Sequence, residues 1–216
     1  MRGRPGRPAR ITRQRVIDVA KTMDPSSFTM KAVADELGVD PSAVNYHVSD
    51  RETLRKLVAT EIVGEWIGGV QIPEDVDWRE ALRIFATAMR DALIATGSPN
   101  VVFDLSSESV PGAFALVEDV YRRLRDIGLQ PAEAGSVLTA VNMVAFAAAR
   151  EVVMSAAGEH PQLVELRQAI ADSPDTGSVE EIVDHWNPAS DSQFAFTLGL
   201  LISGVESLFE PSLLEQ

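Results

Sequence analysis

The sequence has no cysteine, few aromatic residues (6%) and no apolar segment long enough for a membrane helix. Without cysteine there is no disulfide framework, thiolate metal site or cysteine nucleophile, and a reducing, cytoplasmic location is expected. The most apolar stretches, 140–149 and 194–205, are shorter than the roughly 20 residues that span a bilayer. The Arg- and Pro-rich N-terminus lacks the apolar core of a signal peptide. These features predict a soluble protein with no membrane partner.

Basic residues are also scarce, with 19 Lys and Arg against 32 Asp and Glu, but they are unevenly distributed. Residues 1–50 carry 8 basic and 6 acidic side chains, whereas residues 51–216 carry 11 and 26. Such an asymmetry is expected when only one end of a protein meets DNA phosphates. We therefore predict that Arg4, Arg7 and Arg10 follow the DNA backbone or enter the minor groove. The alternative for this N-terminal arm is a disordered, solubilising tail.

The segment 28–54 is typical of a helix-turn-helix. A short amphipathic helix is predicted from Met30 to Leu37, followed by a turn and a second helix. Gly38 accepts the positive φ that such a turn needs. Asp40 can cap the next helix, and Pro41 suits its first position because no N–H is needed there. In proteins with this arrangement the second helix lies in the DNA major groove.

A third, longer helix is predicted from Asp50 to Ile67. Ser49 and Glu52 have the S-x-x-E spacing of a capping box at its start. The helix places apolar residues at helical spacing as far as Trp66. It connects the N-terminal residues to the remainder of the chain.

Helical periodicity also dominates the remaining sequence, and no segment alternates with period two. We predict an all-α protein with two domains: a basic arm and helix-turn-helix over 1–50, joined by the helix 50–67 to a helical ligand-binding and dimerisation domain over 68–216. Thr12 is predicted to cap a first helix that ends at Met23. One further helix is predicted to begin at Trp78 and another near Phe114. Three more are predicted over 131–157, 161–172 and 191–209. The acidic stretch 173–190 is predicted to be a mobile loop.

The motif LGVDPSAVNYHVSDRETL resembles the TetR family of transcriptional regulators. The matching residues are Tyr46, His47, Val48, Arg51, Glu52 and Leu54. The family pattern usually has an aromatic residue before the tyrosine, and this chain has Asn45. This difference is expected to change which operator sequence is recognised and not whether DNA is bound, because Asn is itself a base-reading side chain.

The resemblance implies a set of DNA contacts. Groove-facing positions would be Lys31 on the first helix and Pro41, Ser42, Ala43 and Asn45 on the second. Ala43 suits a thymine methyl, and Asn45 suits a bidentate pair with adenine. Phosphate contacts would come from Thr29, Tyr46, His47 and Arg51. For Tyr46 and His47 the alternative is simple packing, with the histidine neutral in the core.

Two helices are predicted to mediate homodimerisation. The segment 131–157 is rich in alanine, and 191–209 is apolar on nearly every side. A helix of the second kind must be buried in the monomer core or at a subunit contact. The ending FAFTLGLLISGVESLF resembles the tetracycline-repressor branch, which implies a four-helix bundle between two subunits. A two-fold dimer would present two reading helices to a palindromic operator.

The resemblance also implies a small-molecule effector held among the central helices. The helix 50–67 would be the lever, with its cavity end at Trp66 and Ile67. Candidate lining residues are Phe85, Met89, Phe103, Phe114, Met143 and Phe146, with Asp104 and Glu151 as polar anchors. Aromatic and methionine side chains at helical spacing are equally typical of a hydrophobic core. An apolar or aromatic ligand is favoured, and the two acids leave a cationic ligand open.

No metal site or cofactor is predicted, because His47, His160 and His185 lie outside the neighbourhoods where the tetracycline-repressor branch binds a chelated metal. The predicted function is a ligand-responsive transcriptional regulator, favoured as a repressor. The alternatives are a constitutive or activating DNA-binding protein without an effector, and an enzyme. No G-x-S-x-G, H-E-x-x-H or phosphate-cradling glycine loop supports an enzyme.

Overall fold

The computed structural model describes residues 11–24, 28–104, 110–156, 158, 160–173 and 177–208. Over these residues the chain has ten helices and no strand. The helices are α1 (Arg13–Lys21), α2 (Met30–Leu37), α3 (Pro41–His47), α4 (Arg51–Gly68), α5 (Trp78–Ala95), α6 (Val110–Asp126), α7 (Pro131–Ser155), α8 (Pro161–Ala171), α9 (Gly177–His185) and α10 (Asp191–Glu206). The predicted all-α class is confirmed.

The first three helices pack around a small apolar core of their own. Val16, Val33 and Val44, one from each of α1, α2 and α3, are fully buried there. The Thr12 side chain caps α1 by accepting the Arg15 N–H at 3.1 Å. We call α1–α3 and the first half of α4 the head.

A second, larger core lies among α4, α5, α6, α7 and α10. Phe85 and Leu82 of α5 are fully buried at its centre, and Val141 of α7 and Ile202 of α10 pack into the same cluster. Helix α5 also holds α10 through Arg90, whose guanidinium lies 2.7 Å from Asp191 and 4.9 Å from the Phe194 ring centroid. The inward face of α10 is formed by its buried apolar residues, Phe194, Leu198, Ile202 and Val205. We call this part the body.

Helix α4 belongs to both cores. Leu54, Leu57 and Val58 lie in the head core, whereas Val63 and Ile67 lie in the body core. With 18 residues and a rise of 1.5 Å each, the helix is roughly 27 Å long. A change in its tilt therefore moves the head relative to the body.

The predicted loop over 173–190 is wrong in its middle part, which forms α9. Val179, Ile182 and Val183 recur at helical spacing, and Val183 is buried against the neighbouring α8. The acidic residues of α9 point to solvent, which is why this stretch has the composition of a loop. Several predicted helix ends differ by a few residues: α1 ends at Lys21, α7 at Ser155 and α10 at Glu206. Phe209, the predicted end of the last helix, lies outside the described residues.

The prediction that no apolar segment is long enough for a membrane helix is wrong for α7, which by length and composition alone could cross a membrane. One such helix is weak evidence, because core helices of soluble proteins pass the same test. Only 22% of its apolar window is buried within the single chain. Part of its apolar surface therefore has no partner among the described residues of one chain.

Candidate nucleic-acid interface

The turn between α2 and α3 has the geometry that its sequence predicts. Gly38 has φ +67°, and its N–H and that of Val39 bond back to the carbonyls of Asp35 and Ala34 at 3.1 and 3.0 Å. This is the left-handed end of a helix for which glycine is best suited. It directs the chain sharply into α3.

The start of α3 is capped by Asp40, as predicted. Its carboxylate accepts the Ser42 N–H at 2.8 Å, and Pro41 occupies the first turn. Hydrogen bonds from Ser42, first from its side chain and then from its backbone, lower the pKa of Asp40 below its ordinary value. The cap therefore remains charged at neutral pH.

Helix α3 buries one side and exposes the other. Val44 is fully buried and Val48 nearly so, which attaches the helix to the head core. Asn45 is exposed, and Tyr46 is the most exposed of the large hydrophobic side chains in the described part of the chain, at 86%. The Tyr46 and His47 rings meet edge to face, with centroids 5.1 Å apart. The outer surface of α3 therefore presents Asn45 and Tyr46 to any molecule that lies against it.

The other predicted DNA-contact residues within the described part lie on or next to α2, α3 and the start of α4. Lys31, Pro41 and Ser42 are exposed, whereas Ala43, His47 and Arg51 are half-buried. Thr29 is the N-cap of α2, and its hydroxyl accepts the Ala32 N–H at 3.1 Å. Arg4, Arg7 and Arg10 fall outside the described residues.

The capping box predicted from Ser49 and Glu52 is wrong, because the cap of α4 is Asp50. The Asp50 carboxylate accepts the Thr53 N–H at 2.8 Å and the Ser49 hydroxyl at 2.7 Å. It also accepts the Thr53 hydroxyl at 3.0 Å. These bonds, led by the Thr53 N–H, lower the pKa of Asp50 below its ordinary value of 3.8. Ser49 thus supports the cap instead of forming it.

We expect Asp50→Ala to lower the melting temperature at pH 7, since the Thr53 N–H and two hydroxyls lose their acceptor. Because folding lowers the pKa of Asp50, its contribution is present above the ordinary value of 3.8 and disappears as pH falls through the lower folded value. The difference in melting temperature between the wild type and Asp50→Ala should therefore shrink in acid, toward the smaller difference that a neutral acceptor oxygen retains. Circular dichroism melts at pH 7 and pH 3 measure it.

Asp50→Asn provides the matched control for this prediction. It keeps an oxygen that can accept the Thr53 N–H but removes the charge, so its stability at pH 7 should lie between those of the other two proteins. A wild-type advantage that stays constant between pH 7 and pH 3 would contradict the role of the ionised cap.

The predicted ligand residues occupy three different environments. Ile67 and Phe85 are fully buried in the body core. Met89, Phe103 and Phe146 pack around that core, and the last two rings meet edge to face at 5.9 Å. An effector that contacts all five would have to open space between α4, α5 and α7.

The remaining ligand candidates lie nearer the surface. Trp66, Phe114 and Met143 are exposed at 46%, 61% and 69%. Met143 and Glu151 line one groove of about 330 Å³ between α7 and the start of α10. Glu151 also lies 3.0 Å from Nε2 of His160, which is buried at the start of α8.

A pair of polar contacts that the sequence did not indicate joins the head to the body. The Thr60 hydroxyl, in the middle of α4, accepts the Asp104 N–H at 2.7 Å. The Asp104 carboxylate lies 3.4 Å from the guanidinium of Arg13 on α1. Asp104, predicted as a ligand anchor, is therefore positioned between the lever helix and the head.

Comparison with known proteins agrees with this architecture. The model of the tetracycline-repressor-like C-terminal domain matches residues 72–209. Among solved structures, a possible TetR family transcriptional regulator from Streptomyces coelicolor A3(2) is similar with a TM-score of 0.73 and 20% identity, over 91% of this chain and 99% of that one. Comparison with curated protein sequences gives no match.

Two further structures are of regulators with bound molecules. ActR of Streptomyces coelicolor, in complex with (S)-DNPA, has a TM-score of 0.67 and 19% identity, over 92% of this chain and 98% of that one. BioQ with its natural double-stranded DNA operator has a TM-score of 0.52 and 21% identity, over 90% and 98%. At these identities the likeness concerns the fold.

A capped helix-turn-helix joined through one long helix to a helical body is the architecture of a DNA-binding transcriptional regulator. The matched domain covers more than half of the chain, which therefore belongs to the TetR family of transcriptional regulators.

Proposed function

We propose that this protein is a cytoplasmic, ligand-responsive repressor that binds a palindromic operator as a homodimer. The observation that carries the proposal is the outward surface of α3, where Asn45 and Tyr46 project from a helix held at both ends. In this proposal α3 enters the major groove, and Lys31, Ser42 and Asn45 face the bases. Thr29, Tyr46, His47 and Arg51 contact phosphates.

The exposed apolar side chains of α7 and α10 support the dimer. Phe196 and Leu200 of α10 are exposed at 63% and 60%, and Met143 lies on the exposed side of α7. Contiguous apolar surface of this kind usually marks a protein contact. A second copy related by a two-fold axis would cover it and pair the two reading helices.

The effector part of the proposal uses the lever geometry of α4. A small apolar or aromatic molecule among Met89, Phe103 and Phe146 would contact the core that holds the C-terminal half of α4. It shifts DNA binding only if its affinity differs between the two tilts of that helix. The two heads of the dimer would then no longer have the spacing that the two halves of the operator require.

Selection of bound fragments from the source genome, at two salt concentrations, tests this proposal. We expect enrichment of fragments that contain a two-fold symmetric site, with a preference over random DNA that persists at the higher salt concentration. Equal binding to random and selected DNA would refute operator recognition. Transcription from an enriched promoter, with and without the protein, then separates repression from activation.

A further inference from the structure

The segment 101–104, which follows α5, links the body to the head at a second place besides the course of α4 itself. Helices α1, α2 and α3 pack mainly on one another and on α4. The segment reaches both units, because Val101 and Phe103 pack against the body core. The Asp104 carboxylate lies 3.4 Å from the guanidinium of Arg13 on α1. A displacement of this segment in the body therefore reaches the head.

Thr60 attaches the segment to α4. Its hydroxyl donates to the Lys56 carbonyl at 2.7 Å within the helix, which leaves its oxygen lone pairs for the Asp104 N–H, also at 2.7 Å. Thr60 is 3% exposed and lies between Val58 of the head core and Val63 of the body core. An exposed ion pair contributes little, whereas a partly buried N–H that loses its acceptor is costly. The hydrogen bond to Thr60 is therefore the stronger of the two attachments.

The same segment adjoins the region where the effector is proposed to act. The rings of Phe103 and Phe146 meet edge to face with centroids 5.9 Å apart. The Asp104 N–H belongs to the planar peptide group that begins at the Phe103 Cα. A molecule that pushes Phe103 away from Phe146 therefore also displaces this N–H from the Thr60 hydroxyl.

We propose that the Thr60 hydroxyl positions the head for operator binding by holding the segment 101–104 against the middle of α4. While the hydrogen bond is made, the head keeps one angle relative to the body. An effector that separates Phe103 from Phe146 breaks the bond, and the head then samples several angles. Thr60 thus acts through α4 and does not touch DNA. The consequence for the operator rests on the proposed function, whereas the restraint on the head does not.

The distance between two spin labels in the full chain tests the restraint. Because the chain has no cysteine, labels attach only at introduced positions. Glu36→Cys on α2 and Thr87→Cys on α5 give one exposed position on the head and one on the body. Dilution with excess unlabelled protein isolates the distance within one subunit. We expect a narrow distance distribution, and a clearly broader one when Thr60→Val is added.

Thr60→Ser is the matched control, because valine keeps the shape of threonine without its hydroxyl and serine keeps the hydroxyl without the methyl group. Thr60→Ser should therefore retain the narrow distribution. No broadening with Thr60→Val would overturn the proposal. Equal broadening with Thr60→Ser would also overturn it, because the restraint would then come from packing. Melting curves of both variants establish that they are folded.

Phe103→Ala tests whether the restraint passes through the segment 101–104. The change removes the contact with Phe146 that anchors the segment in the body. We expect it to broaden the distribution about as much as Thr60→Val, and the double variant to be no broader than either. Both changes release the same segment, so their effects should not add. Additive broadening would overturn the transmission through this segment.

Operator binding is measured separately. Thr60→Val should weaken binding to the selected operator about tenfold, as for the loss of one hydrogen bond that leaves its donor unpaired. Thr60→Ser should bind as the wild type does. A broader distance distribution in Thr60→Val with unchanged operator affinity would overturn the positioning role. Failure to find an operator would refute the proposed function, while the distances still decide whether Thr60 restrains the head.

Discussion

Leu200→Glu is expected to separate the proposed dimer into single subunits. Leu200 lies on the outer side of α10, 60% exposed in one chain, next to Phe196 one turn earlier. Burying one leucine contributes about 1.5–3 kcal/mol. Each of the two subunits contributes one Leu200, so the variant dimer loses this free energy of association twice. The dissociation constant should therefore rise at least 100-fold, because each 1.4 kcal/mol is about a factor of ten. A carboxylate buried in the apolar interface of each copy adds a desolvation cost.

Analytical ultracentrifugation measures the change in subunit association, and operator binding measures its consequence. A lone subunit presents one reading helix, so the variant should lose the roughly 10²–10⁴-fold advantage of two linked contacts. Thr87→Glu, which adds the same charge at an exposed site on α5, should remain dimeric. A wild-type protein that sediments as a single subunit, or a dimeric Leu200→Glu protein, would refute the proposed interface.

Asn45→Ala is expected to relax base preference at one position of each half-site. Asn45 is exposed on α3 beside the buried Val44, so the change alters the outer surface without touching the head core. Loss of a bidentate contact with adenine costs about 1–3 kcal/mol, or roughly 5- to 150-fold in discrimination. Asparagine carries no charge, so the salt dependence of binding should stay nearly the same.

Competition between the selected operator and single-base variants measures this effect. Asn187→Ala, the same change at an exposed position outside the helix-turn-helix, should leave the preference intact. If Asn45→Ala instead weakens binding to all sequences equally, Asn45 acts on the backbone or on stability and the base-reading role is wrong.

The helix-turn-helix could be predicted closely because its signals are local. Gly38, Asp40 and Pro41 each specify the backbone of their own turn, and the structure places them as predicted. The cap of α4 was less determined, because Ser49 and Asp50 are both good capping residues. Asp50 forms the cap because its carboxylate accepts three hydrogen bonds at once, from partners that include Ser49 itself.

Features that depend on tertiary contacts were not predictable from the chain. Thr60 and Asp104 are 44 positions apart, and nothing in either neighbourhood indicates their hydrogen bond. The helix α9 was missed because its buried residue, Val183, is surrounded by exposed acids. The candidate ligand residues were hard to predict for the same reason. Helical spacing shows which side of its helix Phe85 or Met143 occupies, but not whether that side meets the core, a cavity or solvent.

The shared helix α4 has a consequence for exchanging DNA specificity between regulators. A head that ended at residue 50 would lack Leu54, Leu57 and Val58, which complete its apolar core. Its inner face would then be exposed to water, and a foreign body would offer mismatched side chains in their place. A hybrid with a transplanted reading module should therefore be spliced near Thr60, between the two clusters, so that each partner keeps its own packing.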